Sequence, residues 1–475
     1  ILTSIFIEDD MIGRKKELSL LEKLYNSTKF EYLNLYGRRR VGKSTLLTEF
    51  SSTHHCIFMT GQEKNNPLNQ SDFTHAICDY FSCSFIPDFK EWKPIFEFLT
   101  DLISRDTSNE KIVIIIDEFP YIAKEDPSIK SALQTIIDHK WKNMPNVLLI
   151  LCGSSVSFMV NDVMGATSPL HGRATSEYEL LPFDYSITKD FFPAMSNTDR
   201  IISYGILGGI PLYLLSFSDK LSIKDNIETG ILSPISVMRR EPINLLRMEL
   251  REPLFYNSIL LSVSNGATKL GEVSTKVYED SSKVSKYIET LKELRIITKS
   301  VPYGEKDSSK KSIYTIKDNY FKFWYRFIFP NEGKINLLGE EKAAEDICSS
   351  LSDYMGLVFE DICREFMVRL AKEGKLPFIP DGFGKWWGNN PAKKRQDDID
   401  IIGIDGNKGI FCECKFRNEL FDVSELNDLL DASAIFTRIE EKYYYLFSKS
   451  GFTQAVKDLA PQYNLKLVTI DDLFD

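Results

Sequence analysis

The sequence predicts an α/β protein whose first domain is built on a parallel β-sheet. Two uninterrupted apolar runs of strand length, 112–116 and 147–152, are typical of central strands that are buried on both faces. A glycine-containing segment at 37–42 joins a third strand-like run, 32–36, to a helical pattern at 46–50. Helix and strand patterns alternate again over 340–475, which predicts a second α/β region.

The composition is that of a globular protein with several domains. The chain has 475 residues, of which 43% are hydrophobic. Because a domain usually holds about 100–200 residues, we expect two to four domains. The formal net charge of −10 argues against a protein that coats nucleic acid, so any DNA contact must come from local basic patches.

The cysteines and the hydropathy pattern indicate a cytoplasmic protein. None of the eight cysteines forms a C-x-x-C pair, so we expect reduced, mostly buried thiols and no zinc site. No apolar run reaches the roughly 18 residues of a membrane-spanning helix. Residues 1–10 lack the basic start and apolar core of a signal peptide, and residues 1–11 carry no predicted function.

The segment at 37–45 carries the clearest chemical signal. It reads Gly-Arg-Arg-Arg-Val-Gly-Lys-Ser-Thr, the G-x-x-x-x-G-K-S pattern of a phosphate-binding loop between a strand and a helix. The loop N–H groups and the helix N-terminus favour phosphate oxygens. Lys43 should reach the β- and γ-phosphates of ATP, and Ser44 should ligate Mg²⁺. The predicted nucleotide contacts in this loop are Gly37, Arg38, Arg39, Arg40, Val41, Gly42, Lys43, Ser44 and Thr45.

An acidic pair, Asp117-Glu118, follows the apolar run at 112–116. At the end of a parallel strand next to a phosphate-binding loop, such a pair is suited to ATP hydrolysis. We expect Asp117 to hold Mg²⁺ through water and Glu118 to polarise the attacking water.

Two further residues are candidates for sensing or stabilising the γ-phosphate. Ser154 follows the apolar run at 147–152, and its hydroxyl is a candidate γ-phosphate sensor; the alternative is a polar turn between strand and helix. Arg173 lies in a predicted loop as an exposed candidate arginine finger, acting in cis or from a neighbouring subunit. The alternative for Arg173 is a surface side chain or a salt bridge.

Two motifs place the chain near a known family. Residues 12–18 read Ile-Gly-Arg-Lys-Lys-Glu-Leu, and residues 208–213 read Gly-Gly-Ile-Pro-Leu-Tyr. Together with the phosphate-binding loop, they resemble the archaeal-type ATPases, a branch of the AAA+/STAND P-loop proteins, over nearly the whole chain. The resemblance implies an AAA+-like ATPase domain at 12–195 and a helical lid at 196–245. It also implies that Ile12 and Arg14 lie against the adenine and that Pro211 packs on the nucleotide.

The region 246–326 resembles a winged helix-turn-helix. Helical patterns at 257–263, 270–277 and 281–294 precede two strand-like runs, 295–301 and 312–316. In a DNA-binding version, the third helix would present Ser282, Lys283, Ser285 and Lys286 to the major groove, and the wing would present Lys306, Lys310 and Lys311 to phosphates. The alternative is a structural module that packs against the nucleotide domain.

The C-terminal region, 340–475, resembles a PD-(D/E)XK nuclease domain of the restriction-endonuclease type. A hairpin pattern joins strands at 398–404 and 410–416, and Glu413 and Lys415 share a strand face. The resemblance implies that Asp400 and Glu413 bind Mg²⁺, that Lys415 acts beside the scissile phosphate, and that Glu360 completes the set. Trp386, Trp387, Lys393, Lys394 and Arg395 are candidate DNA contacts. The alternative is a degenerate domain that binds without cutting.

Two functions compete at this level. The first is an ATP-driven protein that processes DNA through a nuclease-like domain. The second is a STAND-type signalling or defence switch, in which ATP and ADP hold two domain arrangements and the C-terminal domain binds a partner. ATP and Mg²⁺ are the expected ligands in both, and DNA and further copies of the chain are candidate partners.

Overall fold

The computed structural model describes residues 6–7, 10–108, 110–390 and 393–475. The chain forms two compact units, Ile1–Pro182 and Phe183–Asp475. Within the described ranges, no helix is long and apolar enough to cross a membrane. The two units are a coarser division than the four domains predicted from the sequence, whose boundaries stay predictions.

The first unit contains a five-stranded parallel sheet, as predicted. The strands of this unit are β1 (Phe6–Ile7), β2 (Asp10–Met11), β3 (Glu31–Tyr36), β4 (Cys56–Thr60), β5 (Ile112–Asp117), β6 (Val147–Gly153) and β7 (Ser176–Glu179). β1 and β2 form a separate antiparallel pair. The other five are all parallel and have the order β4-β5-β6-β3-β7. Every residue of β5 and β6 is buried, which explains their unbroken apolar sequences.

Helices pack on this sheet through apolar stripes. They are α1 (Lys15–Tyr25), α2 (Lys43–Thr53), α3 (Asn66–Tyr80), α4 (Trp92–Arg105), α5 (Phe119–Glu125), α6 (Ser128–His139) and α7 (Val156–Phe158), which continues as a π-helix over Met159–Val163. α4 shows the principle: Trp92, Phe96, Leu99 and Ile103 recur at helical spacing and are fully buried. β5, β6 and β3 are adjacent in the sheet and parallel, so their C-terminal ends lie at the same edge of the sheet.

The second unit begins with a series of short helices that includes the predicted lid region, 196–245. They are α8 (Thr188–Phe191), α9 (Asn197–Leu207), α10 (Pro211–Leu214), α11 (Ile223–Asn226) and α12 (Glu241–Glu249), with a π-helix at Ile227–Leu232 and a 3₁₀ turn at Val237–Arg240. Gly208 and Gly209 separate α9 from α10, at the break that the Gly-Gly-x-Pro sequence predicts.

Three helices and a hairpin follow, in the order predicted for the winged-helix segment. They are α13 (Pro253–Ser264), α14 (Leu270–Val277), α15 (Ser281–Glu293), β8 (Ile297–Ser300) and β9 (Ile313–Ile316). β8 and β9 pair antiparallel, with Ile297 opposite Ile316. The apolar face of α15 buries Val284, Ile288 and Leu291.

The C-terminal part is a five-stranded mixed sheet with helices. Its elements are α16 (Asn319–Phe323), α17 (Glu332–Leu338), α18 (Glu340–Ser349), α19 (Leu351–Lys372), β10 (Gly384–Asn390), β11 (Arg395–Asp405), β12 (Lys408–Lys415), α20 (Val423–Ala434), β13 (Glu441–Ser448), α21 (Gln454–Leu459) and β14 (Leu465–Thr469). The strand order follows the chain: β10, β11 and β12 are antiparallel, and β12, β13 and β14 are parallel. The predicted hairpin between 398–404 and 410–416 is therefore confirmed.

A half-buried carboxyl group on α19 connects this helix to the start of the second unit. Glu365 accepts hydrogen bonds from the Tyr204 hydroxyl at 3.1 Å and from the backbone N–H of Tyr185 at 3.3 Å. Burial, reinforced by the charge of Asp184, raises the pKa of Glu365 to about 8. The carboxyl group is therefore expected to keep its proton at neutral pH in the folded protein.

Candidate active site

The phosphate-binding loop runs from the end of β3 to the first residue of α2. Gly42, the residue before α2, has φ of 94°, a left-handed conformation that glycine adopts without strain. Gly37 passes so close to the backbone of Leu180 that a side chain at this position would collide with the Leu180 carbonyl oxygen. The two glycines of the motif are thus required by the path of the loop.

Lys43 is held over the loop that precedes it. Its Nζ donates hydrogen bonds to the carbonyl oxygens of Gly37 at 2.8 Å and Arg38 at 3.1 Å, and the residue is buried. The ammonium group therefore lies against the backbone of the loop that precedes α2.

Ser44 and Asp117 are brought together across the sheet edge. The exposed Ser44 donates its hydroxyl hydrogen to Oδ2 of Asp117 at 2.7 Å. The other Asp117 oxygen, Oδ1, accepts the backbone N–H of Glu118 at 2.9 Å. These two donors hold the Asp117 carboxylate in one orientation. The residue is also only 2% exposed, so water does not compete for its oxygens.

Glu118 contacts the candidate sensor. Its Oε2 accepts hydrogen bonds from the hydroxyl of Ser154 at 2.7 Å and from the Ser154 N–H at 3.3 Å. Glu118 also has a left-handed backbone, φ 49° and ψ 40°, which is uncommon for a residue with a side chain. The sharp turn after β5 directs the Glu118 side chain toward the end of β6, where Ser154 begins the next turn.

Arginines brace the loop from outside. Arg14 donates from NH2 to the carbonyl oxygens of Val41 at 2.8 Å and Leu181 at 3.0 Å, and its NH1 lies 3.4 Å from Glu17. Burial lowers the pKa of Arg14, and Glu17 opposes this effect. Arg39 donates to the Tyr121 hydroxyl at 2.6 Å. In this structure the guanidinium of Arg14 holds the P-loop backbone.

Arg173 is neither exposed nor unpaired. Its guanidinium lies 2.7 Å from Oδ2 of Asp138, and a second nitrogen donates to Oδ1 at 3.0 Å. NH1 also donates to the carbonyl oxygen of Pro169 at 2.7 Å. The hydrogen bonds from Arg173 lower the pKa of Asp138. The side chain is not exposed, as the finger hypothesis assumed, and the alternative of a salt bridge is confirmed, because Asp138, at the end of α6, lies opposite the loop that carries Arg173.

A second group of charged residues lies in the C-terminal sheet. β11 and β12 pair with Ile401 opposite Cys412, and one further step along this register brings Asp400 opposite Glu413. Residues directly opposite each other share a face of the sheet, so the two carboxylates lie on the same side. Oδ2 of Asp400 accepts the backbone N–H of Cys414 at 2.9 Å, and Lys415 donates to Glu413.

Lys385, on β10, joins this group. Its Nζ lies 2.7 Å from Oε2 of Glu360, 3.2 Å from Oδ1 of Asp400 and 3.4 Å from Oδ2 of Asp398. We call Glu360, Asp400, Glu413, Lys385 and Lys415 the carboxylate–lysine cluster. The structure thus brings together all four C-terminal residues predicted from the sequence and adds a second lysine to them.

The cluster has perturbed pKa values. Burial, with the charge of Asp400, raises the pKa of Glu360 to about 7 and that of Glu413 to about 8. Burial acts to lower the pKa of Lys385, but the charges of Asp400 and Glu360 outweigh it and raise that pKa. Lys385 is therefore expected to stay protonated at neutral pH.

Two family models match the chain. A model of an ATPase domain predominantly from Archaea matches residues 11–217. A model of archaeal and bacterial proteins of unknown function matches residues 324–428. An uncharacterized protein of Methanocaldococcus jannaschii is 33% identical over 445 residues, which cover 92% of this chain and 95% of that protein. The chain belongs to the family of ATPases found predominantly in Archaea.

Two further relatives bear on the ATPase. An uncharacterized ATP-binding protein of M. jannaschii is 49% identical over 39 residues, 8% of this chain and 66% of that protein. The Walker-type ATPase of Pyrococcus abyssi superposes with a TM-score of 0.51 at 20% identity, over 67% of this chain and 97% of that chain. At this identity, the second likeness concerns the fold alone.

The two charged sites of the ATPase differ in how well they suit Mg²⁺. At the P-loop, the Ser44 hydroxyl and the Asp117 carboxylate are hard oxygen donors, and a nucleotide-site Mg²⁺ usually takes only one or two protein ligands besides phosphates and water. In the cluster, N–H donors already occupy both oxygens of Asp400. Among the described residues, no group of three or more His, Cys, Asp or Glu side chains is arranged to hold a metal ion. The P-loop fits the ion, and the cluster as arranged does not.

The remaining predicted residues lie as follows. Ile12 is half-buried in the turn before α1, and Pro211 is buried at the start of α10 in the second unit. Among the candidate DNA contacts, Lys393 pairs with Asp431, and Arg395 pairs with Asp397 at 2.6 Å and Asp428 at 2.7 Å. Two of the three positive charges of this basic run, those of Lys393 and Arg395, are therefore balanced by carboxylates.

Sequence reasoning did not identify Lys385, Tyr121 or Asp138 as parts of these sites. Lys385 lies beside the two tryptophans that were singled out, but nothing in its local sequence distinguishes it from a solvent-exposed lysine. The one available signal was the strand pattern. Because neighbouring strand residues face opposite sides of a sheet, Lys385 had to face the side opposite to Trp386.

Proposed function

We propose that this ATPase hydrolyses ATP with Mg²⁺ at the P-loop and uses the turnover to control DNA binding or processing by its C-terminal region. The observation that supports hydrolysis most directly is the Ser44–Asp117–Glu118–Ser154 chain of hydrogen bonds at the ends of β5 and β6. It joins a metal-ligand pair to a candidate base within one rigid edge of the sheet.

Each side chain of the proposed ATPase site has a separate role. Lys43, which rests on two loop carbonyl oxygens, exchanges these acceptors for the β- and γ-phosphates when ATP enters. Mg²⁺, held by Ser44 and Asp117, would supply positive charge to the phosphates. Glu118 accepts the proton of the attacking water, and Ser154 holds the Glu118 carboxylate in position. The buried apolar strands β5 and β6 hold the backbone that carries Asp117, Glu118 and Ser154 in place.

Support for coupling to DNA comes from the second unit. The α13–α15 helices and the β8–β9 hairpin have the element order of a winged helix, and Lys306 and Lys310 lie on the loop between the two strands. The carboxylate–lysine cluster lies on a mixed sheet of the same unit. This combination would allow one element to contact the DNA backbone and another to act on it.

The test is ATP turnover by the full chain with and without double-stranded DNA at low and high salt. We expect DNA to raise the rate of phosphate release, and salt to weaken the effect, because phosphate contacts are screened. A matched pair of variants locates the contact: Lys306→Glu/Lys310→Glu should abolish the stimulation, and Lys15→Glu/Lys16→Glu, on α1 of the first unit, should not. An ATPase rate that is indifferent to DNA would overturn the coupling.

One observation favours a second candidate, the nucleotide-controlled switch with a C-terminal binding domain. Several basic residues expected to meet DNA are paired with carboxylates, including Lys283 with Glu279 at 2.7 Å and Arg395 with Asp428 at 2.7 Å. For a switch, limited proteolysis should give different fragments with ATP and with ADP in the Glu118→Gln variant, and DNA should alter neither pattern. The same fragments in both nucleotides would remove this candidate.

A further inference from the structure

Lys385 lies at an irregularity in strand pairing. Gly384 is opposite Ile402, whereas Trp386 is opposite Ile399. Two residues of β11, Asp400 and Ile401, therefore face the single residue Lys385 on β10. This is a β-bulge, a feature that bends a strand and redirects side chains and is frequent next to active sites. The bulge brings Lys385 and Asp400 together on one face.

The Lys385 ammonium group, opposite the bulged part of β11, has carboxylates on several sides. Glu360 comes from α19, and Asp398 and Asp400 come from β11; their nearest oxygens lie 2.7, 3.4 and 3.2 Å from Nζ of Lys385. A divalent ion prefers the same carboxylate oxygens. The ammonium and such an ion cannot share them, because both are positive and both need the same acceptor atoms.

We infer that Lys385 is the resident cation of the carboxylate–lysine cluster, and that a divalent ion enters the cluster only when the Lys385 side chain leaves it. The inference deepens the proposed function, on which it rests for the view that this cluster is where the C-terminal region acts. It assigns to Lys385 a positioning and regulatory role that is separate from that of Lys415, whose ammonium donates to Glu413.

The backbone of Lys385 is tied to the winged-helix hairpin. The carbonyl oxygen of Lys385 accepts the backbone N–H of Tyr303 at 2.9 Å, and the Tyr303 hydroxyl accepts the N–H of Ile404 at 3.0 Å. Tyr303 lies in the segment between β8 and β9. A displacement of the hairpin would therefore pull on the strand that carries Lys385, which gives the hairpin a physical means to control access to the cluster.

The experiment measures Mn²⁺ binding by the nucleotide-free full chain. The concentration of free Mn²⁺ is monitored by electron paramagnetic resonance. Any ion at Ser44 and Asp117 is common to all variants and serves as the baseline. We expect Lys385→Met to bind one Mn²⁺ per chain more than the wild type, because three carboxylates then lack their ammonium partner. Adding Asp400→Asn to Lys385→Met should remove the extra ion.

Two controls make the result decisive. Lys385→Arg keeps a cation at the position and should bind Mn²⁺ as the wild type does. Lys408→Met removes a lysine from the same sheet, one that pairs with Glu441 at 3.1 Å, and should also leave binding unchanged. Melting curves identify any variant that fails to fold, and Lys385→Gln then replaces Lys385→Met.

Either of two results overturns the inference: a wild-type chain that already binds an extra Mn²⁺ dependent on Asp400, or a folded Lys385→Met or Lys385→Gln chain that gains none. Failure of the proposed function is distinguishable from both. If Lys385→Met gains the ion but neither cleaves DNA nor responds to it, DNA processing is wrong and the role of Lys385 stands.

Discussion

Replacing Glu118 by Gln isolates the charge of the candidate base. Oε2 of Glu118 accepts hydrogen bonds from the Ser154 hydroxyl and N–H at 2.7 and 3.3 Å, and the amide oxygen of Gln accepts the same donors. Fold and ATP affinity should therefore be preserved. A positioned general base contributes about 10²–10⁴-fold to a rate, so kcat should fall by that factor. At about 1.36 kcal/mol per factor of ten, this raises the barrier by roughly 2.7–5.4 kcal/mol.

The assay is phosphate release at saturating ATP and Mg²⁺, with nucleotide affinity measured separately on a fluorescent ATP analogue. Glu125→Gln is the matched control, because Glu125 is exposed at the far end of α5 and should leave kcat unchanged. A Glu118→Gln protein that binds ATP and keeps the wild-type kcat would refute the assignment of Glu118 as the base. A loss of binding together with kcat would instead mean that Glu118 supports the nucleotide site.

Three further predictions concern single side chains. Lys43→Ala should weaken ATP binding by at least about tenfold, since a hydrogen bond to a charged group is worth about 1.5–3 kcal/mol; an unchanged Kd by calorimetry would contradict this. Arg173→Ala should slow hydrolysis without affecting ATP binding, whereas Asp138→Asn, which releases the arginine, should not slow it; equal rates in both variants and the wild type would exclude the finger. If the finger acts from a neighbouring subunit, wild-type specific activity should also rise with protein concentration, and a flat dependence would leave only a cis role. Because the folded pKa of Glu365 is raised from 4.5 to about 8, the stability that its proton provides is complete below pH 4.5 and is lost as the pH rises to about 8. Glu365→Gln should flatten the decline of the unfolding free energy over this window in denaturant titrations, and an unaltered slope would disprove the assignment.

The sequence was a good guide wherever the cause of a structure is local. Strands β5 and β6 are buried on both faces, so their sequences are apolar throughout and could be recognised without any knowledge of their neighbours. The P-loop depends on glycines at fixed offsets between a strand and a helix, and the β11–β12 hairpin depends on a turn around Gly406. That turn also determines the register of β11 against β12, which brings Asp400 and Glu413 to one face.

Pairings of charged side chains were predicted poorly, because their partners are distant in sequence. Arg173 was considered as an exposed finger or as part of a salt bridge, and its partner Asp138 is 35 residues away, on α6. The contact between Glu118 and Ser154 spans 36 residues and exists only because β5 and β6 are neighbours. Local spacing carries no information on strand order, so these contacts could not be derived from it.

From its sequence alone, then, this protein is recognisable as an α/β P-loop ATPase with a carboxylate-bearing C-terminal sheet, because glycine positions, apolar runs and hairpin turns are local properties of the chain. Only the tertiary structure decides which partner each charged group takes. Ser154 holds Glu118 and Asp138 holds Arg173 because strand order and helix packing bring them together. Lys385 meets Asp400 at a one-residue bulge in β11 and meets Glu360 because α19 packs beside the sheet. Burial and these contacts together then determine the charge of each group.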